Sequence, residues 1–134
     1  EQQDIFGRGK LEGEPLGAKK EFDAINFAAT RTDGQPAIPM AAHIRLAHAD
    51  NLNGVRILRR GYNFTDGSDG LGHLNAGLFF VAFMRDAHAQ FVPMQRALAA
   101  KDVLNEYIEH TGSALFACPP GLADGADWGT QLFG

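Results

Sequence analysis

The longest apolar run in the chain, residues 76–84, limits most strongly what the chain can fold into. Only Gly77 interrupts it, and Leu78, Phe79, Phe80 and Val81 follow one another without a polar residue. Alternate side chains of a strand point to opposite faces, so a continuous apolar run is typical of a strand that is buried on both faces. The run is far too short to cross a membrane. We therefore predict a central buried strand here and no membrane span.

Three further segments carry secondary-structure signals around this strand. Residues 55–60 read as a strand, bounded before by Asn53-Gly54 and after by Gly61. Apolar residues recur at helical spacing over residues 91–108, which predicts one helix broken near Ala100 or two adjoining helices. Residues 113–118 read as a last strand. The order strand, strand, helix, strand predicts an α+β fold and fits most of a ferredoxin-like unit.

The N-terminal part of the chain has a different character. Residues 1–36 are rich in Gly, Pro and charged residues, which predicts a short helix near residues 4–6 followed by an extended, irregular segment. Its glycines do not have the spacing of a nucleotide-binding loop, and no strand precedes them. We therefore divide the chain into an irregular N-terminal segment, residues 1–36, and a ferredoxin-like domain, residues 37–134.

Composition excludes some classes of function. The net charge of −4 and the lack of a basic run argue against a nucleic-acid partner. Cys118 is the single cysteine, so the chain cannot form an internal disulfide. The chain begins at Glu1 and not at a methionine, which is typical of a processed or excised piece. Any targeting segment would precede this residue.

The histidines are the first candidates for chemistry. There are five, and no pair has the spacing of a zinc site. A lone histidine is more often an ordinary surface or core residue than a ligand. His43 differs from the rest because small and apolar residues flank it, in AAHIRLA, and Arg45 follows two positions later. An imidazole in an apolar pocket suits a haem iron, and a nearby cation suits a propionate.

Arginines and one carboxylate form a second set of candidates. Arg59 and Arg60 are adjacent on the predicted strand 55–60, so their side chains must point to opposite faces. One of them could line a pocket, although a strand edge protected by charge is a common alternative. Glu106 lies in an apolar helical stretch, where it is either exposed or turned inward to orient a histidine.

Several motifs in order make the chain similar to a known family. The sequence resembles the dye-decolourising peroxidases, and in particular the secreted bacterial group that includes the deferrochelatases. The resemblance is carried by five segments: GRGKLEGEPLG, IPMAAHIRLA, VRILRRGYNF, AGLFFVAFMRD and FVPMQRALAAKDVLNEYIEHTGSALFACPPG. It implies the C-terminal one of two ferredoxin-like halves and a bound haem b. Residues 37–134 would then be the haem-binding domain.

The resemblance also implies roles for individual residues. His43 would be the proximal ligand of the haem iron, and Arg59 would be the distal arginine on the opposite face. Glu106 would be the carboxylate that is hydrogen-bonded to His43, and Arg45 would contact the surroundings of the histidine or a propionate. The family's distal aspartate belongs to its N-terminal half. Asp69 sits in a similar local string, but that string is one residue short and follows the arginine strand, so we do not assign the role to Asp69.

The activity implied by the resemblance is that of a haem peroxidase that uses hydrogen peroxide to oxidise dyes or phenolic compounds. The alternative is a haem-handling, iron-releasing protein of the deferrochelatase kind in which peroxidase activity is secondary. A third reading is a haem-free domain with a structural role. The partners expected are peroxide, a small organic reductant and an N-terminal fragment of the same protein, and a homo-oligomer is compatible with this. The location implied is secreted or periplasmic.

Overall fold

A computed structural model describes residues 1–127 and 129–130 of the chain. Within these residues the helices are α1 (Gln2–Phe6), α2 (His43–Leu46) and α3 (Val92–Lys101), and the strands are β1 (Leu58–Ser68) and β2 (Leu74–Phe83). Short 3-10 turns span Ala49–Asn51 and Val103–Glu106, and a π-helical turn, Ala87–Phe91, leads into α3. The fold is of the α+β class, with helices beside a small antiparallel sheet.

Strands β1 and β2 form an antiparallel hairpin. Arg59 lies opposite Ala82 and Gly61 lies opposite Phe80, and the register shifts between Thr65 and Ser68. The predicted strand 76–84 is confirmed as β2. The predicted strand 55–60 is displaced, because pairing begins at Leu58 and continues past Gly61, the residue expected to end it, as far as Ser68.

The hairpin faces solvent on both sides within this chain. Phe79 and Phe80 are neighbours on β2 and therefore point to opposite faces, yet they are 65% and 44% exposed. We expected this strand to be buried on both faces, and in the part of the chain that the structure describes it is not. The apolar sequence of β2 is typical of a strand packed between other elements, but the described residues leave most of β2 exposed.

A small core joins the N-terminal segment to α2. Ile38 and Ala42 are fully buried, and the backbone of Gly7 lies against them. Gly7 ends α1 with a φ of 79°, a left-handed conformation that favours glycine. A side chain at this position would overlap Ile44 and come within 2.9 Å of Ile38. The irregular segment is thus packed directly onto the short helix that carries His43.

Helix α3 ends where the sequence predicted a break. Pro93 lies in its first turn, Met94 is its buried residue, and the helix stops at Lys101. Asp102 then adopts an extended conformation and its carboxylate accepts a hydrogen bond from the Leu104 amide, which starts the next turn. The helical pattern over residues 91–108 is therefore two elements.

The predicted strand 113–118 does not form. Residues 108–123 contain no helix or strand, and Leu115 and Phe116 are 78% and 80% exposed. A strand is stable only when its backbone groups pair with a neighbouring strand, and in the structure this segment pairs with neither outer edge of the hairpin. Among the helices described, we find none with the length and apolar character needed to span a bilayer.

Candidate active site

His43 is the first residue of α2 and is held by a carboxylate from the far end of α3. Its Nδ1 lies 2.5 Å from Oδ2 of Asp102. The Asp102 side chain is only 3% exposed, whereas 31% of the His43 side chain reaches solvent. The inner nitrogen of the ring, Nδ1, is therefore anchored, and part of the side chain, which also carries the outer nitrogen Nε2, reaches solvent. The ring of Phe6 meets it edge-on at 6.5 Å between ring centroids.

The Asp102 carboxylate is held in place by a second bond. Oδ1 accepts from the Leu104 amide at 2.9 Å while Oδ2 faces His43. Rotating the carboxylate would break the cap of the turn that follows, so the oxygen facing the histidine has little freedom. Because an ionised carboxylate only accepts, Nδ1 of His43 donates, and in a neutral imidazole Nε2 then keeps its lone pair. This tautomer is the one that can bind a metal through Nε2.

Nε2 of His43 suits an iron whose other ligands are supplied by a cofactor and not by the protein. Among the described residues Nε2 of His43 has no hydrogen-bond partner, and no group of three or more His, Cys, Asp or Glu side chains could hold a bare ion. One imidazole is enough only when a macrocycle fills the remaining positions, as a porphyrin does. The carboxylate–imidazole pair matches the donor set of a five-coordinate haem iron.

The carboxylate that contacts His43 is not the one expected. We predicted Glu106 in this position, and the structure places Asp102 there, with Glu106 exposed at the end of the following 3-10 turn. The error follows from the end of α3. A continuous helix would carry Glu106 inward, but the chain turns at Asp102 and leaves Glu106 outside. The signal that was missed is the aspartate at the predicted helix break, where a turn-capping residue is favoured.

Arg45 lies on the same turn as His43 and faces backbone carbonyls. Its Nε and Nη2 donate to the Ile38 carbonyl at 3.2 and 2.7 Å, and Nη2 also donates to the Phe27 carbonyl at 3.0 Å. The guanidinium carbon lies 4.8 Å from the centroid of the Phe27 ring. Within the described residues no carboxylate pairs with this arginine.

Arg59 occupies β1, away from this cluster of contacts. It is exposed and lies opposite Ala82, and its guanidinium has no hydrogen-bond or ion-pair partner in the described part of the chain. Arg60 faces the other side of the hairpin and donates to the Arg59 carbonyl at 3.2 Å. The two arginines thus point apart, as the strand requires. In the structure His43 contacts Asp102, whereas the Arg59 guanidinium contacts neither of them.

Asp69 lies in the turn of the hairpin and is already engaged. Its Oδ2 is 2.8 Å from Nδ1 of His73, and its Oδ1 accepts from the Leu71 and His73 amides. The hydrogen bond with the His73 side chain, helped by the Leu71 amide, lowers the pKa of the Asp69 carboxyl below its usual 3.8. Hydrogen bonds from an aspartate to nearby backbone amides are typical of a surface turn.

Comparison with known proteins identifies the kind of chain to which this site belongs. The family described as "Dyp-type peroxidase, C-terminal" matches residues 1–123. A dye-decolorizing peroxidase of Thermobifida fusca is 45% identical over 86% of this chain and 27% of its own length. The deferrochelatase of Yersinia pestis (strain Nepal516) is 41% identical over 92% of this chain and 28% of its own length.

Solved structures agree with this match over almost the whole chain. The oxyferrous complex of DtpA from Streptomyces lividans aligns with a TM-score of 0.94 at 36% identity, covering 99% of this chain and 37% of that one. A DyP-type peroxidase from Streptomyces coelicolor gives a TM-score of 0.93 at 36% identity, covering 98% and 36%. The chain spans less than a third of the two curated relatives named above, at 27% and 28% of their lengths. It belongs to the dye-decolourising peroxidase family and corresponds to that family's C-terminal, ferredoxin-like part.

Proposed function

We propose that this chain supplies the iron-ligating side of a haem b peroxidase site. The observation that carries the proposal is the His43–Asp102 pair, at 2.5 Å, with the carboxylate buried and the outer nitrogen of the imidazole free. His43 would hold the iron through Nε2. In this proposal residues 37–134 form the haem-binding domain, and the irregular segment 1–36 packs against its ligand helix.

Asp102 has two effects on His43 in this proposal. As a hydrogen-bond acceptor it fixes the ring orientation and keeps the proton on Nδ1. As a buried negative charge it makes Nε2 more electron-donating, a property that favours cleavage of a peroxide O–O bond. The bound haem iron would supply the redox chemistry with hydrogen peroxide. Electrons would come from a dye or a phenolic compound as the small organic reductant.

Arg59 is the residue that we propose for charge stabilisation on the peroxide side. Arginine carries a planar, positively charged guanidinium, and that of Arg59 has no partner within the described residues. Such a group can donate to the oxygen that becomes negative as the O–O bond breaks. The proton transfer would fall to the aspartate that the family carries in its N-terminal half, because Asp69 is committed to His73.

The adjacent arginines provide the test of this role. Arg59→Leu in the haem-loaded protein is expected to keep the haem absorption spectrum and to lower kcat/KM for peroxide by about a hundredfold, the usual cost of one charge-stabilising donor. Arg60→Leu removes a neighbouring charge from the opposite face and is expected to have little effect. Steady-state dye oxidation measures both. A larger loss in Arg60→Leu than in Arg59→Leu contradicts the assignment.

Iron release from haem is the second candidate function, favoured by relatives that are named deferrochelatases. The two from Yersinia pestis and Escherichia coli (strain K12) are 41% and 37% identical to this chain. Incubation with haem and a reductant, followed by mass analysis of the tetrapyrrole, separates the two functions. Iron-free but intact porphyrin supports this candidate, whereas unchanged haem together with rapid peroxide-dependent dye oxidation supports the peroxidase.

The remaining parts of the proposal concern partners and location. The N-terminal part of the same protein would cover the exposed faces of the hairpin, and a homo-oligomer is compatible with this arrangement. The deferrochelatase relatives favour a secreted or periplasmic location. Fractionation of the producing cells, with immunodetection of the protein, tests that location directly.

A further inference from the structure

The helix that carries His43 is too short to hold its own orientation. Helix α2 spans four residues, His43–Leu46, and isolated helices of this length are unstable in water. The direction in which Nε2 points must therefore depend on tertiary contacts. Asp102 supplies one of these contacts through Nδ1. A single bond at one ring nitrogen does not fix the rotation of the ring by itself, and the apolar contact of Ile44 with Gly7 is not directional.

Arg45 provides the contacts that remove this freedom. Three of its N–H groups bond to two backbone carbonyls, those of Ile38 and Phe27, at 2.7 to 3.2 Å. The two carbonyls belong to chain segments that lie eleven positions apart in the sequence. Ile38 is fully buried, so its carbonyl needs a partner inside the protein. The arginine thereby ties α2 at two points to the chain that precedes it, one in the irregular segment at Phe27 and one at Ile38.

Stacking on the Phe27 ring also restricts the orientation of the Arg45 guanidinium. The guanidinium lies over the Phe27 ring at 4.8 Å, and the same ring makes an edge-to-face contact with His48 at 5.0 Å between centroids. At the other end of the helix the Asn51 side chain donates to the Arg45 carbonyl at 2.7 Å. Both the side chain and the backbone of Arg45 are thus fixed.

We infer that Arg45 is a positioning residue for His43, and not a ligand of the haem carboxylates. The inference rests on the proposed function, in which His43 holds the iron. Nε and Nη2 are committed to backbone carbonyls, which leaves Nη1 alone without a protein partner among the described residues. The planar fork and the stacking are properties of arginine that a lysine cannot supply.

The test compares Arg45→Lys, which keeps the charge, with Phe27→Leu, which removes only the stacking partner. Arg31→Lys is the matched control. Arg31 also donates to a backbone carbonyl, that of Ala37 next to Ile38, but it does not lie on α2. The readout is the histidine–iron stretching band in the resonance Raman spectrum of the ferrous, haem-loaded protein. We expect the band to shift or broaden in Arg45→Lys and in Phe27→Leu, and to remain unchanged in Arg31→Lys.

Two results overturn the inference. A normal band in Arg45→Lys shows that a positive charge is sufficient, as a propionate contact would require. A normal band in Phe27→Leu shows that the stacked geometry does not matter.

If the wild-type protein shows no histidine–iron band, the proposed function fails first. The rate of amide hydrogen exchange at Leu46 and Ala47 in the haem-free protein then tests the role of Arg45 independently of haem. We expect this rate to rise roughly tenfold in Arg45→Lys and to stay unchanged in Arg31→Lys. Unchanged exchange in Arg45→Lys contradicts the inference.

Discussion

At the scale of single residues, the two carboxylates Asp102 and Glu106 show how local backbone geometry selects one side chain for a role. They lie four positions apart, and either would reach the same face of a continuous helix. The turn at Asp102 buries its carboxylate against His43 and exposes Glu106. The choice between them depends on where α3 ends, which periodicity alone does not give to within a residue.

Replacing these carboxylates with amides separates their roles. Asp102→Asn removes the negative charge beside His43 and makes the imidazole a weaker electron donor, so the Fe(III)/Fe(II) reduction potential of the haem-loaded protein should rise. Glu106→Gln changes an exposed group and should leave the potential unchanged. Spectroelectrochemical titration measures both variants. A rise in Glu106→Gln with no change in Asp102→Asn would reverse the assignment.

At the scale of elements, the junction of α1 and α2 shows what the irregular N-terminal segment does. Gly7 ends α1 in a left-handed conformation and brings its backbone against Ile38, Ala42 and Ile44. This contact has no room for a side chain. Together with the Arg45–Phe27 contact, it makes residues 1–36 a structural support for α2, the helix that carries His43. A segment of this length without regular structure is usually retained for such a function.

Two glycines with the same backbone conformation test this contact. Gly7→Ala combines an unfavourable φ of 79° with overlap against Ile44, and should lower the free energy of unfolding by about 2–4 kcal/mol. Gly34→Ala has a φ of 81° and nothing within 4 Å, so only the conformational cost of about 1–2 kcal/mol should remain. Urea unfolding of both variants gives the comparison. Equal losses would show that the Gly7 contact is not close-packed.

The success of the sequence predictions differs between elements for physical reasons. Strand β2 and the Pro93 helix were predictable because their signals are local: a continuous apolar run and a helical spacing with proline in the first turn. The strand predicted at 113–118 failed because pairing depends on a neighbouring edge, which no local pattern reports. The proposal of His43 as a ligand rests on the family motifs around it, and not on any local pattern. Asp102 was missed because its role depends on a helix end.

At the scale of the whole molecule, the exposed hairpin is the dominant feature. Apolar side chains cover both of its faces, among them Leu78, Phe79 and Phe80, at 56%, 65% and 44% exposure. An isolated two-stranded hairpin is marginally stable in water. The curated relatives are more than three times as long as the matched region, which covers 27% and 28% of their lengths. The proposed contact with the family's N-terminal part would bury these apolar faces.

The isolated chain provides a test of this interpretation. Residues 1–134 expressed alone should aggregate or associate through the exposed hairpin, because large apolar patches are rarely left uncovered. Size-exclusion chromatography with light scattering measures the species formed. Addition of the N-terminal part of the same protein should convert it into a defined complex. A stable, monodisperse monomer of 14.5 kDa would contradict the expected burial.

The absorption spectrum of the His43→Ala variant tests the proposed iron site most directly. With the outer nitrogen of His43 as the iron ligand, the haem-reconstituted protein should lose its Soret band at the wild-type position and retain little haem through gel filtration. His110→Ala is the control, since His110 is an exposed histidine outside the contacts of α2, and its spectrum should remain that of the wild type. An unchanged Soret band and full haem retention in His43→Ala would contradict the assignment of His43 as the ligand.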